Sequence, residues 1–119
     1  MIKQVHPEYT YLDPVDYIVD FLRQKKTIHE IIELEKRDIE TCDVLLSYLW
    51  KPSIGTPMEI MYAYMYNQCY RMGSKKIKII SVLEKNKFIS PWIEHHSDIV
   101  LSDFHLAFDW IQKNVIKNK

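Results

Sequence analysis

In 119 residues, sixteen basic side chains balance sixteen acidic ones, so no net field draws the chain to nucleic acid or to an anionic lipid surface. The length fits one domain, residues 1–119, and an apolar fraction of 47% can build a core without a metal or a disulfide framework. Cys42 and Cys69 lack any Cys-x-x-Cys or Cys/His spacing, the opening "MIKQVHPEYT" lacks the apolar run of a secretion signal, and no run reaches the roughly 18 apolar residues of a membrane span. These features point to reduced thiols, a cytoplasmic location and a small or neutral partner.

The first element is a short β-prone run, "YTYLDP", from Tyr9 to Pro14. Three of the five prolines follow a residue able to cap a helix: Asp13-Pro14, Thr56-Pro57 and Ser90-Pro91. Proline at the first helical position loses nothing, because its missing N–H has no intrahelical partner there. Helices are therefore expected to start at about 14, 57 and 91. Within "VDYIVDFLRQ" and "TIHEIIELEKRDIETC" apolar residues recur at helical spacing, and Ile28, Ile31, Ile32 and Ile39 form the predicted buried stripe of the second segment.

"DVLLSYLW" (Asp43 to Trp50) and "KIKIISVL" (Lys76 to Leu83) are apolar, β-branched runs of strand length, predicted as interior parallel strands. Between them the helix from Pro57 to Met72 carries Glu59, Asn67, Gln68 and Arg71 as its clearly polar residues, too few to solvate one face. Part of that helix is expected to be covered by another chain in a dimer or larger assembly. The last third reads as a short helix "PWIEHHS", a strand "DIVLS", and a helix from Asp103 to about Lys117 with Phe104, Ala107, Phe108, Ile111 and Val115 on one face. Alternating strands and helices predict an α/β fold: a parallel sheet of about four strands, Rossmann-like or flavodoxin-like, with helices on both faces.

In such sheets ligands bind beyond the carboxyl ends of the strands. The loop "KPSIGTPME" leaves the strand ending at Trp50 and lies at that edge. Gly55 would let backbone approach a ligand, and the helix start would offer N–H groups. Glu59 has two readings here. Thr56-x-x-Glu59 matches a capping box, as does Thr27-x-x-Glu30; alternatively Glu59 is a carboxylate placed for chemistry at the head of an apolar helix. The histidines His95 and His96 are adjacent, point about 100° apart on a helix, and lack a third ligand at useful spacing, so they are read as helix-end donors to carbonyls, with no metal. Met58, Met61, Met65 and Met72, with Trp50, Trp92 and Trp110, read as core or subunit interface.

The stretch "IIELEKRDIETCDVLLSYLWKPSIGTPMEIMYAY", together with "SPWIEHHSDIVLSDFHLAF", resembles the nucleoside 2-deoxyribosyltransferase family and its nucleoside hydrolase relatives, over about Tyr11 to Trp110. The resemblance implies that Glu59 is the nucleophile of a retaining transfer at an N-glycosidic carbon, with no cofactor. It implies substrate contacts from Glu35, Asp43, Ser53, Gly55 and Thr56, with Tyr62 helping to close the site to water. Three departures accompany it. The family's first strand-helix unit, with its sugar-binding turn, has no counterpart, so the sheet is expected to close with Tyr9 to Leu12 beside Val44 to Leu49. Ser53 stands where some members have an acid, and Glu35 where the family usually has an aspartate. The alternative is a noncatalytic nucleoside- or nucleotide-binding module, or an oligomeric interaction module, derived from that family.

Overall fold

The computed structural model describes residues 23–50, 54–71 and 76–116. The chain divides between Asp38 and Ile39 into two compact units. The predicted strand around Tyr9 to Leu12, the helix start at Pro14 and the closure beside Val44 to Leu49 lie outside the described residues.

Helix α1 spans Ile28–Thr41 and begins on a capping box. The Thr27 N–H donates to Glu30 Oε1 at 3.1 Å, and the Glu30 N–H donates to Thr27 Oγ1 at 3.1 Å. Of the predicted stripe, Ile31 and Ile39 are buried, whereas Ile28 and Ile32 are exposed. Ile28 is the first helical residue, and Ile32 lies a full turn further along the same exposed side. The bonds from Thr27, its N–H first and its hydroxyl second, hold the Glu30 carboxyl below the ordinary glutamate range, with the Lys26 charge adding to them. A carboxylate held low in the folded state contributes stability above its ordinary pKa, and that contribution disappears as pH falls through the lower, folded value. A Thr27→Ala variant keeps the backbone N–H and is expected to lose only the hydroxyl's share, so its denaturation midpoint should differ from wild type somewhat more at neutral pH than near pH 3.

The second unit carries a parallel sheet in the order β1-β2-β3, formed by β1 (Val44–Tyr48), β2 (Lys78–Val82) and β3 (Ile99–Leu101). Tyr48 is opposite Val82, and Val82 opposite Leu101. The central strand is the buried one: Ile79, Ile80, Ser81 and Val82 are all covered. Among the described residues β1 is an edge strand, with Val44 to Leu46 half-buried, so only the second of the two predicted interior strands is enclosed on both sides.

Helix α2 (Gly55–Tyr70) joins β1 to β2, and α3 (Pro91–His96) joins β2 to β3. Ile60 and Ala63 of α2 pack with Ile39, Ile77 and Ile79, while Leu45 and Ile93 lie against that cluster. Side chains alternate along a strand, so Ile80, Val82 and Tyr48 point to the other face. There Tyr48 meets Phe104, the first residue of α4 (Phe104–Ile111), edge to face at 5.1 Å. Helices thus cover both faces of the sheet that the three described strands form.

The predicted last helix forms with Asp103 as its cap, accepting from the Leu106 N–H at 2.8 Å. Ala107, Phe108, Ile111 and Val115 are buried as the spacing predicts, and Phe104 is half-buried. Beyond Ile111 the coil widens to a π-helical turn, Gln112–Ile116. The Gln112 N–H is shared between the Asp109 and Phe108 carbonyls, and the Asn114 side chain takes the Trp110 carbonyl at 3.0 Å, a local competitor for helical bonding.

Two side chains complete the sheet. Asn67, a polar residue within the apolar helix α2, is buried. Its amide donates to the Ile77 carbonyl at 2.9 Å and accepts from the Ile77 N–H at 2.8 Å, replacing a strand partner where β2 begins. Asp98 does the same ahead of β3: its carboxylate accepts from the Ile79 N–H at 2.7 Å, while its own N–H donates to the Ile79 carbonyl at 2.7 Å.

Candidate functional site

The edge where β1 ends is built by strand direction. Tyr48 closes β1, Leu49 donates its N–H to the Val82 carbonyl at 2.8 Å, and the chain turns back at Ile54 into α2. The helix starts at Gly55, two residues before Pro57, with Ile54 in helical conformation (φ −92°, ψ −39°) at the cap position. The expected start at Pro57 with Thr56 as cap is corrected accordingly: Thr56 is the second helical residue and Glu59 the fifth. Proline is tolerated third because the first four N–H groups of a helix lack intrahelical acceptors in any case. Glu59 therefore stands in the second turn, half-buried, beyond the position a capping-box glutamate occupies.

Gly55 is exposed, and a Cβ added there would meet nothing within 4 Å. The protein's own packing makes no demand for glycine at this position. Gly55→Ala is expected to leave stability unchanged or raise it by up to about 1 kcal/mol. If a ligand approaches the bare backbone, the same variant binds nucleoside more weakly, and melting curves with and without nucleoside separate the two effects.

The sequence-predicted residues do not all gather here. Asp43 is exposed and precedes β1, where its carbonyl accepts from the Lys78 N–H at 3.0 Å. It stands at the amino end of the strand whose carboxyl end leads to Gly55, roughly 16 Å away along five residues. Tyr62, one turn beyond Glu59, donates its hydroxyl to Glu40 Oε2 near the end of α1 and stacks on Tyr66 with centroids 6.5 Å apart. Arg71 donates to the Glu40 carbonyl at 2.7 Å and lies over the Tyr66 ring. The hydroxyl of Tyr62 is thus directed to this cluster. Glu35 belongs to the first unit; burial, and next the Asp38 charge, push its carboxyl above the ordinary range, so it holds a proton more readily than an exposed glutamate. Ser53 lies outside the described residues.

Two residues at the carboxyl edge escaped sequence reasoning. Tyr48 donates its hydroxyl to Glu84 Oε1 at 3.1 Å, tying the end of β1 to the loop after β2. That bond, ahead of burial and the Glu84 charge, raises the Tyr48 phenol above its ordinary range. The pair is far apart in sequence and no local pattern announces it.

A cavity of about 110 Å³ lies at the opposite, amino edge, lined by residues that include Tyr64, Asn67, Lys76, His95, His96 and Asp98. It is smaller than the roughly 300 Å³ at which ligand pockets begin, and Asn67 and Asp98 are already bonded to strand backbone there. The histidines behave partly as expected: His96 Nδ1 bonds to the Trp92 carbonyl at 2.7 Å, and its ring meets Tyr64 edge to face at 4.5 Å.

The described residues form a parallel α/β sheet with helices on both faces, an arrangement consistent with a Rossmann-like fold, and in parallel α/β sheets ligands bind beyond the strand carboxyl ends. No family model matches the chain, and neither does any curated protein or solved structure compared with it. Among the described residues no helix is long and apolar enough to cross a membrane.

Proposed function

We propose that this chain binds a nucleoside or nucleotide at the start of α2, from Ile54 to Glu59, and transfers or hydrolyses its N-glycosidic bond through Glu59, in the manner of the nucleoside deoxyribosyltransferases it resembles. The observation that carries this reading is the placement of Gly55-Thr56-x-x-Glu59 in the first two turns of the helix entered from the carboxyl end of β1. The Glu59 carboxylate attacks C1′ of the sugar as the bond to the base breaks; the bonding pair leaves with the base, which takes up a proton. Another base or water then attacks C1′ and releases the carboxylate. An anion beside C1′ stabilises the positive charge that develops there. The test is incubation with a panel of deoxynucleosides, deoxynucleotides and free bases, read by chromatography. Release or exchange of base supports the reading, and its complete absence with every substrate removes the catalytic part.

A second reading, an interaction module built on the same sheet, is favoured by the outer face of α2. Ile54, Met58 and Met65 fall on one side of the helix and are all exposed. A second copy is the partner proposed for this apolar surface. Sedimentation at micromolar concentration is expected to give a dimer or larger species, and Met58→Lys with Met65→Lys is expected to return it to monomer.

A further inference from the structure

We infer that the turn following the central strand, Glu84 to Phe88, grips a phosphate and so selects nucleotides over nucleosides; this rests on the nucleoside reading above. The loop leaves the sheet at its middle, because Val82 lies between Tyr48 of β1 and Leu101 of β3 at the same edge. Leu83 is still held there by its N–H to the Leu101 carbonyl at 2.9 Å. Glu84 is then tied to β1 through the Tyr48 hydroxyl.

From that anchored base the chain makes a tight turn. The Lys87 N–H donates to the Glu84 carbonyl at 3.3 Å, and Asn86 takes a left-handed conformation, φ 65°, at the third position. The turn thereby presents Lys85, Lys87 and Phe88 outward, all exposed. Neither Lys85 nor Lys87 enters an ion pair among the described residues, whereas Lys26, Lys36 and Lys113 each do. Phe88 is 87% exposed, so its ring contributes almost nothing to the core and its exposure costs free energy in water. Two cations beside a bare aromatic ring match a ligand that joins a phosphate to a flat base. The turn stands at the same sheet edge as the start of α2, so both address one ligand at different ends.

The experiment is calorimetric titration of the full chain with deoxyadenosine, deoxyadenosine 5′-monophosphate and inorganic phosphate, for wild type, for Lys85→Ala with Lys87→Ala, and for Phe88→Ala. The nucleotide is expected to bind about tenfold more tightly than the nucleoside at low salt, with the difference shrinking as salt screens the lysines. The double lysine variant should erase that difference and keep nucleoside binding, while Phe88→Ala should weaken both ligands. Equal binding of nucleotide and nucleoside by wild type overturns the inference and leaves the nucleoside reading standing. Phosphate binding that depends on the lysines, with neither nucleoside nor nucleotide bound, keeps the phosphate grip and removes the nucleoside reading. No binding of any of the three removes both.

Discussion

Glu59→Gln is expected to abolish glycosidic activity, by on the order of 10³-fold or more, while leaving the protein folded. Glutamine keeps the length of the side chain and one acceptor oxygen, but the amide cannot form the ester to C1′ that a retaining transfer requires. Stability should shift by no more than about 1 kcal/mol, because Glu59 is a half-buried residue of the second turn and glutamine is an equally good helix former. Turnover near wild-type rate in this variant would falsify the nucleophile assignment. Retained binding with lost turnover separates the chemistry from a fold defect.

The largest effect on stability is expected from Asn67→Leu. Both backbone groups of Ile77 take their partners from the Asn67 amide, and Ile77 is 1% exposed, so water cannot replace them. Each orphaned group costs about 1–3 kcal/mol, so the pair sums to about 2–6 kcal/mol. That is a large share of the roughly 5–15 kcal/mol that holds an ordinary domain together. Leucine keeps the branched outline of asparagine and favours the helix, but it is larger, so crowding at this buried position adds to the loss of the hydrogen bonds. Urea denaturation should place the midpoint well below wild type with little change in slope. A midpoint within the equivalent of 1 kcal/mol of wild type would mean that Ile77 finds other partners.

Local rules carried the sequence reading furthest where they act within a few residues. The capping box at Thr27 and Glu30 and the Ser90-Pro91 helix start form as spacing dictates, and the last helix begins beside Asp103 as expected. Most of the stripe on the last helix is buried, with α4 packed against β2 and β3. At Thr56 the same rule missed by two residues, since proline is harmless at any of the first helical positions and does not by itself mark which one it occupies. Asn67 was counted as a solvating residue because its partner, Ile77, belongs to the next strand and leaves no periodic trace in the helix.

The candidate site shows the same division. The Gly55-to-Glu59 segment was legible as a strand-to-helix loop from the order of its elements alone. Strand direction also separates Asp43 from that loop, because a residue before a strand and a residue after it lie at opposite edges. Tyr48 and Glu84 could be found only once the register of β1 against β2 was known, since pairing between strands brings them together.

The sequential strand order has a kinetic consequence. Each described strand after the first lies beside its immediate predecessor in the chain, so the sheet is assembled by closing one strand–helix–strand unit at a time and no pairing skips a strand. The second unit is suited to emerge early in folding as a cooperative piece, with the central strand β2 as its most exchange-protected part. Pulsed hydrogen exchange during refolding should mark the amides of Ile79 to Val82 first, before those of α1 ahead of Ile39.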